Sequence, residues 1–355
     1  MDEHHLLNIA TSYLKSAIFP QSAEIDRNPQ ALQNALSGLG KLGLLALQVP
    51  SNWGGLAASA ETYYNFQQLV ARYSGALAFL QTQHQSAAGM LVRSQNQSLQ
   101  QEYLPHLSSG NILLGVGFSH LRRRGEAIVK ATPVDGGYRL NGTIPWITGF
   151  GIFQEFIVAA TLSDDRAVFG LVPFVNSDRD AGKITFSEVL PLAAMTSTNT
   201  VTATLDNWLL KSDRLVSIEP PSWIHDNDKQ NVLKATALAL GCVLASLDVI
   251  QATYSNKQLA FIHLALEKLH LELSQCRAAI DKAANESYQT KLKLRAWAID
   301  LAVRCAHCAI AVSSGAANHN HHPAQRIYRE ALVYTVSGQS TDLMAATLNR
   351  LIDSK

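Results

Sequence analysis

The spacing of apolar residues changes character twice along this 355-residue chain. That restricts it to an architecture in which helices and strands are segregated. From about Leu6 to Ser109 the period is helical, and Leu32, Leu36, Leu39 and Leu42 recur at the three- and four-residue steps of one buried helix face. Gly40 and Gly43 lead into an apolar stretch ending at Pro50. The segment Ser51-Asn52-Trp53-Gly54-Gly55 that follows predicts a turn. Helical spacing returns from about Ala60 to Arg93 and from Ser98 to Leu107. Between about Asn111 and Val216 the runs become short and β-prone: Phe156 to Ala160, Ala167 to Val172 and Thr200 to Leu205. Asp135-Gly136-Gly137 ahead of Tyr138 to Gly142 predicts a hairpin. About a hundred residues of such strands suggest a barrel or sandwich. From about Asn231 the chain is helical again, with predicted helices over 232–253, 259–284 and 288–313. A last helix starts near Pro323, pauses at Gly338 and resumes from about Thr341. The expected division is a helical domain over 1–110, a β-barrel domain over 111–216 and a helical bundle over 217–355, an α+β fold.

Composition narrows the function classes. Lys plus Arg is 29 and Asp plus Glu is 28, so charge gives no case for nucleic acid or a membrane surface. No apolar run approaches the roughly 18 residues needed to cross a bilayer. The polar start, Met1 to His5, is unlike a signal peptide, and four cysteines are too few for a disulfide framework. The expected location is cytosolic. Gly-rich dinucleotide fingerprints and Walker motifs are absent, which disfavours Rossmann enzymes and NTPases. His319-Asn320-His321-His322 lacks a carboxylate or Cys at ligand spacing and abuts Pro323, so a loop cap is expected and no metal. Cys305 and Cys308, one helical turn apart among alanines, are expected to be small core residues.

Several segments together resemble the acyl-CoA dehydrogenase family. Gly43 to Gly55 is similar to the family's apolar stretch with a proline and a Gly-Gly turn. His84 and then Gln101 to Gly110 resemble the approach to its β-domain. Asn141-Gly142-Thr143-Ile144-Pro145-Trp146-Ile147-Thr148-Gly149 is close to Asn-Gly-x-Lys-x-Trp-Ile-Thr-Asn. Gly241 to Asp248 resembles the start of the first bundle helix, and Arg329-Glu330-Ala331 the family's Arg-Asp-Ala. The resemblance covers almost the whole chain. It implies an N-terminal helical domain, a middle β-domain, a C-terminal four-helix bundle, bound FAD, an acyl-CoA or similar apolar substrate, and a homodimer or homotetramer. It implies that Trp146 covers the flavin and Thr148 bonds near its reactive edge, an indole being a broad flat surface and a hydroxyl a small donor and acceptor. Ser119 would join them from the β-domain, and Gln339, Ser340 and Thr341 from the bundle.

Three departures from the family pattern bear on chemistry. The family's dehydrogenation removes an α-proton from a thioester, which needs a carboxylate within hydrogen-bond reach. Counting on from Arg329-Glu330-Ala331 places Gly338 where most members carry that Glu. The alternative position on the first bundle helix is Asn231. Asp226 and Asp228 lie nearby as substitutes, and a helix-capping or solvated role is the competing reading for both. The Arg-x-x-Phe-Gly element between the first two bundle helices, whose Arg reaches a neighbouring subunit's FAD, is missing, and Gly315 stands where members often carry Phe-Gly-Gly. FAD binding is therefore expected to be altered or weak. Finally, Phe118-Ser119-His120-Leu121-Arg122-Arg123-Arg124-Gly125 replaces the family's Thr-Glu-Pro-Gly loop. Arg122, Arg123 and Arg124 are candidate phosphate contacts to CoA or FAD, or a solvated basic turn. His120 is a candidate acid or base, or a buried histidine with satisfied bonds. The expectation is an FAD-dependent oxidoreductase of acyl-CoA dehydrogenase type with no catalytic residue assigned. Its alternatives are a flavin-dependent monooxygenase on the same scaffold and a catalytically degenerate homologue that binds a ligand or partner.

Overall fold

The computed structural model describes residues 2–179 and 181–353. Six α-helices come first: α1 (Glu3–Tyr13), α2 (Ser22–Ile25), α3 (Pro29–Lys41), α4 (Ala60–Tyr73), α5 (Gly75–Arg93) and α6 (Gln97–Leu107). Their starts are written in short polar side chains. Asn28 accepts from the amides of Gln30 and Ala31 ahead of Pro29, Ser59 caps α4 and Ser74 caps α5, each supplying an acceptor to an otherwise unpaired first-turn N–H. The expected stripe on α3 is buried at Leu32, Leu36 and Leu39. The Ser51–Trp53 segment is a 3-10 turn that ends on Gly54 at φ +79°, a conformation that favours glycine.

Nine strands follow: β1 (Leu114–Gly117), β2 (Val129–Val134), β3 (Gly137–Ile147), β4 (Glu155–Thr161), β5 (Ala167–Pro173), β6 (Ser177–Arg179), β7 (Gly182–Phe186), β8 (Val201–Lys211) and β9 (Leu215–Glu219). They form one mixed sheet in the order β6-β7-β8-β3-β2-β4-β5-β9, with β1 parallel to β4. Asp135 and Gly136 make the predicted hairpin, Val134 pairing with Gly137. The sheet folds over itself: a Cβ on Gly170 of β5 would lie 2.4 Å from the Leu210 side chain of β8. Phe156 to Ala160 are all buried because β4 is covered on both faces. One face packs into the main core, and the other joins Ala87, Leu91 and Leu104 of α5 and α6. This accounts for an unbroken apolar run in place of alternation.

Six helices complete the chain: α7 (Trp223–Gln230), α8 (Thr236–Lys257), α9 (Ala260–Lys282), α10 (Tyr288–Ser313), α11 (Pro323–Val336) and α12 (Thr341–Asp353). The pause at Gly338 and the resumption at Thr341 appear as expected. α8 and α10 run through the middle of the bundle, and α8 also lies on α4, where Gly241 permits the approach: a Cβ there would sit 2.5 Å from Ala71 Cβ. One expectation is corrected here. α8 and the stretch Tyr288–Asn318 are long and apolar enough, by length and composition, to cross a membrane. Both supply core residues of the bundle, among them Leu240, Val243, Leu301 and Ala306, and that burial accounts for their composition.

Candidate functional site

The candidate site residues come from four places: the 3-10 turn Ser119–Arg122 after β1, the end of β3, α7, and the turn between α11 and α12. On β3 the alternation of a strand turns Ile147 into the core and leaves Trp146 on the other face, where it is 48% exposed. Thr148 is buried, and its Oγ1 lies 3.1 Å from Thr200 Oγ1, at the end of a hydroxyl ladder in which Thr198 donates to Met195 O. Should Thr200 donate to Thr148, the Thr148 hydrogen stays free for a further acceptor. Ser119 is exposed on its turn.

In the α11–α12 turn, Gly338 adopts φ +60°. Ser340 Oγ accepts from Leu343 N and starts α12, and Thr341 is exposed. Gln339 Oε1 is buried and has no hydrogen-bond partner among the described residues. An orphaned buried carbonyl is costly unless a donor arrives. The ring N–H of a bound flavin is a donor of the required kind, and the exposed Trp146 is a surface of the required shape, so these residues fit the group. Near Gly315 a Cβ would meet nothing. The cofactor arm contributed by the Arg-x-x-Phe-Gly element has no counterpart, because Gln258 and Leu259 alone join α8 to α9.

Of the candidate acids and bases among the described residues, Asp228 is held by another group and Asp226 is not. Asp228 receives Arg122 Nε and Nη2 at 2.7 Å each in a bidentate pair, so the expectation of Asp228 as a free base is corrected, and so is that of Arg122 as a phosphate contact. Asp226 is exposed in the first turn of α7. Asn231 donates its amide back to Asn227. His120 is buried, and its Nε2 faces Ala159 O at 3.1 Å. A carbonyl only accepts, so Nε2 carries the hydrogen. Burial pulls the His120 pKa down to about 4, opposed by that bond. It is a neutral histidine at physiological pH, and among the described residues its Nδ1 has no hydrogen-bond partner. Arg123 and Arg124 remain exposed. Arg123 lines a cavity of about 200 Å³ with His120, Glu126, Asp165, Pro221 and Trp223, so two carboxylates share its only basic walls. Glu330 lies buried against Arg326 Nη1 at 2.6 Å and Gly75 N at 3.0 Å.

Other features resolve simply. His322 Nδ1 accepts from Ala324 N and caps α11. Cys305 is buried and Cys308 partly so, both as free thiols. Sequence reasoning missed Arg295, on α10, whose Nη2 donates to Ser337 O at 2.8 Å and Gly338 O at 3.3 Å. Its signal was available: Arg295 stands at helical spacing from Leu292 and Ile299 on a buried face, and an arginine on an apolar stripe demands a partner. Asp26 was also missed. It is buried, accepts from Met195 N and Arg329 Nη2, and joins the N-terminal helices, the sheet and the bundle.

Comparisons with known proteins agree with this layout. Family models of the acyl-CoA dehydrogenase N-terminal domain and C-terminal domain match residues 1–111 and 245–352. The mitochondrial isovaleryl-CoA dehydrogenase of Solanum tuberosum is 21% identical, over 95% of this chain and 87% of its own. An acyl-CoA dehydrogenase of Bacillus subtilis is 22% identical, over 97% of this chain and 94% of its own. Among solved structures, butyryl-CoA dehydrogenase from Megasphaera elsdenii superposes with a TM-score of 0.82 at 17% identity, covering 99% of this chain and all of that one. The helix–sheet–helix order, the two matched end domains and the near full-length relatives lead to one assignment: this chain belongs to the acyl-CoA dehydrogenase family of flavin-dependent oxidoreductases.

Proposed function

We propose that the protein is an FAD-dependent oxidoreductase that acts on an acyl thioester or a similar apolar substrate without the usual carboxylate base. The observation that carries the flavin reading is Trp146: an indole half-exposed beside the fully buried Ile147 and the buried Thr148. Bound FAD would supply the hydride acceptor, and Asp226 or solvent water would take the α-proton. Trp146 would lie against its ring, the Thr148–Thr200 hydroxyls and Gln339 Oε1 would orient it, and Arg123 would attract an anionic arm of the substrate toward the cavity beside Trp223. Gly338 and Asn231 supply no carboxylate and Asp228 is paired with Arg122, which leaves the exposed Asp226 as the remaining candidate base for an α-proton. The loss of a carboxylate at both family positions favours a second reading, an oxygen-dependent flavin monooxygenase, whose chemistry needs no such base. The exposed apolar stripes on α11 and α12 support a homodimer or homotetramer.

Absorbance of the purified protein separates the readings. Flavin bands near roughly 370 and 450 nm, bleached anaerobically by an acyl-CoA, support the dehydrogenase. Bands that bleach only with an external reductase, with oxygen then consumed, support the monooxygenase. Colourless protein that takes up no added FAD would remove both and leave a ligand- or partner-binding homologue.

A further inference from the structure

We propose that Arg295 is the positioning residue of the flavin-facing turn. The cofactor half of this proposal rests on the reading above. The last carbonyls beyond a helix lack intrahelical donors. Beyond α11 two of them, Ser337 O and Gly338 O, take one guanidinium nitrogen of Arg295. The Arg295 side chain is only 7% exposed, and its Nε is buried without a partner.

Desolvation lowers the Arg295 pKa to about 10, which leaves it charged at neutral pH. A positive charge thus stands beside Gly338, the position that aligns with the family's glutamate. Gly338 makes this possible twice over. Its φ of +60° suits glycine, and a Cβ there would lie 3.2 Å from Arg295 Nη2. A carboxylate introduced at 338 would meet that guanidinium and be held as its ion pair, with its basicity reduced. G338E alone is therefore expected not to create a free base.

The test compares R295Q and R295K with the wild-type chain by hydrogen exchange of peptides covering residues 333–343, by far-UV circular dichroism, and by the visible dichroism of added FAD. R295Q is expected to speed exchange at 337–341 about tenfold, the scale of a charge-assisted bond, and to weaken FAD binding by a similar factor with an altered flavin spectrum. R295K should lie closer to wild type than R295Q. A folded R295Q protein whose 337–341 amides exchange at the wild-type rate would overturn the proposal. Faster exchange with wild-type flavin affinity and spectrum would overturn it too, reducing Arg295 to a structural contact. If the wild-type chain takes up no FAD, the flavin reading fails by that separate readout, and the exchange arm still decides whether Arg295 holds the turn.

Discussion

Glu330 and Arg326 are both enclosed, at 0% and 2% exposure, and Gly75 is glycine because a Cβ there would lie 2.5 Å from Glu330 Cδ. Burial raises the Glu330 pKa and the adjacent Arg326 opposes that rise. Replacing Arg326 by Met strands a buried carboxylate, and the expected cost is about 3–5 kcal/mol, read as a lower urea midpoint. A midpoint within error of wild type would show that Glu330 is already neutral. His84 gives a pH-dependent counterpart. Its Nε2 faces Leu107 O at 3.1 Å, and its Nδ1 accepts from Leu114 N at 3.0 Å, joining α5 to β1. Only the neutral ring can make both bonds, and burial lowers its pKa to about 4, as it does for His120. Between about pH 6.5 and pH 4 the unfolded chain binds protons that the folded chain refuses. Stability from these histidines is therefore complete above pH 6.5 and lost as pH falls toward 4, by roughly 3 kcal/mol for His84 alone. Urea titrations at pH 7.5 and 5 should show this fall, and His84→Gln should flatten it. An equal slope in the variant would assign the acid sensitivity to carboxylates instead.

At the scale of elements, α12 is attached to the bundle by ions as much as by oil. Few of its side chains are buried, Leu343 and Thr347 among them. Arg350 reaches Asp300 on α10 at 3.2 Å and lies over the Trp297 ring. Arg304 joins the same Asp300 at 3.1 Å and also pairs with Glu272 of α9. Asp300 is buried, so these bonds are little screened. Asp300→Ala is expected to cost about 3 kcal/mol and to loosen α12 ahead of the rest. Limited proteolysis should then clip near residue 341 sooner than in wild type; simultaneous loss of all bands would mean that α12 unfolds only with the whole bundle. The α8–α9 hairpin shows the opposite economy. Its two-residue link puts Gln258 at φ +50°, and a connection this short leaves no backbone on which a cofactor-reaching arginine could stand.

For the whole molecule, exposed apolar side chains line the last two helices. Among the described residues Tyr328, Leu332 and Val336 on α11 and Met344, Leu348, Leu351 and Ile352 on α12 are exposed at helical spacing, a pattern that a contact between copies would bury. Sedimentation of the wild-type chain is expected to give a dimer or tetramer, shifted toward monomer by Leu332→Glu with Leu348→Glu. A monomeric wild-type chain would sink the assembly. The order of elements, the turn at 51–55, the hairpin at Asp135-Gly136, the span of α10 and the pause at Gly338 were all legible in the sequence. Each depends on periodicity or on the backbone preference of a few adjacent residues, which neighbours in the chain suffice to set. The lack of a carboxylate at positions 338 and 231 was legible for the simpler reason that it is a matter of identity. Which charges remained available for chemistry was not. Asp228 loses its freedom to Arg122, 106 residues earlier, His120 is kept neutral by burial, and Gly338 gives its carbonyl to Arg295. Charge state and exposure depend on groups brought together through space, and only the packing of sheet against bundle decides which those are.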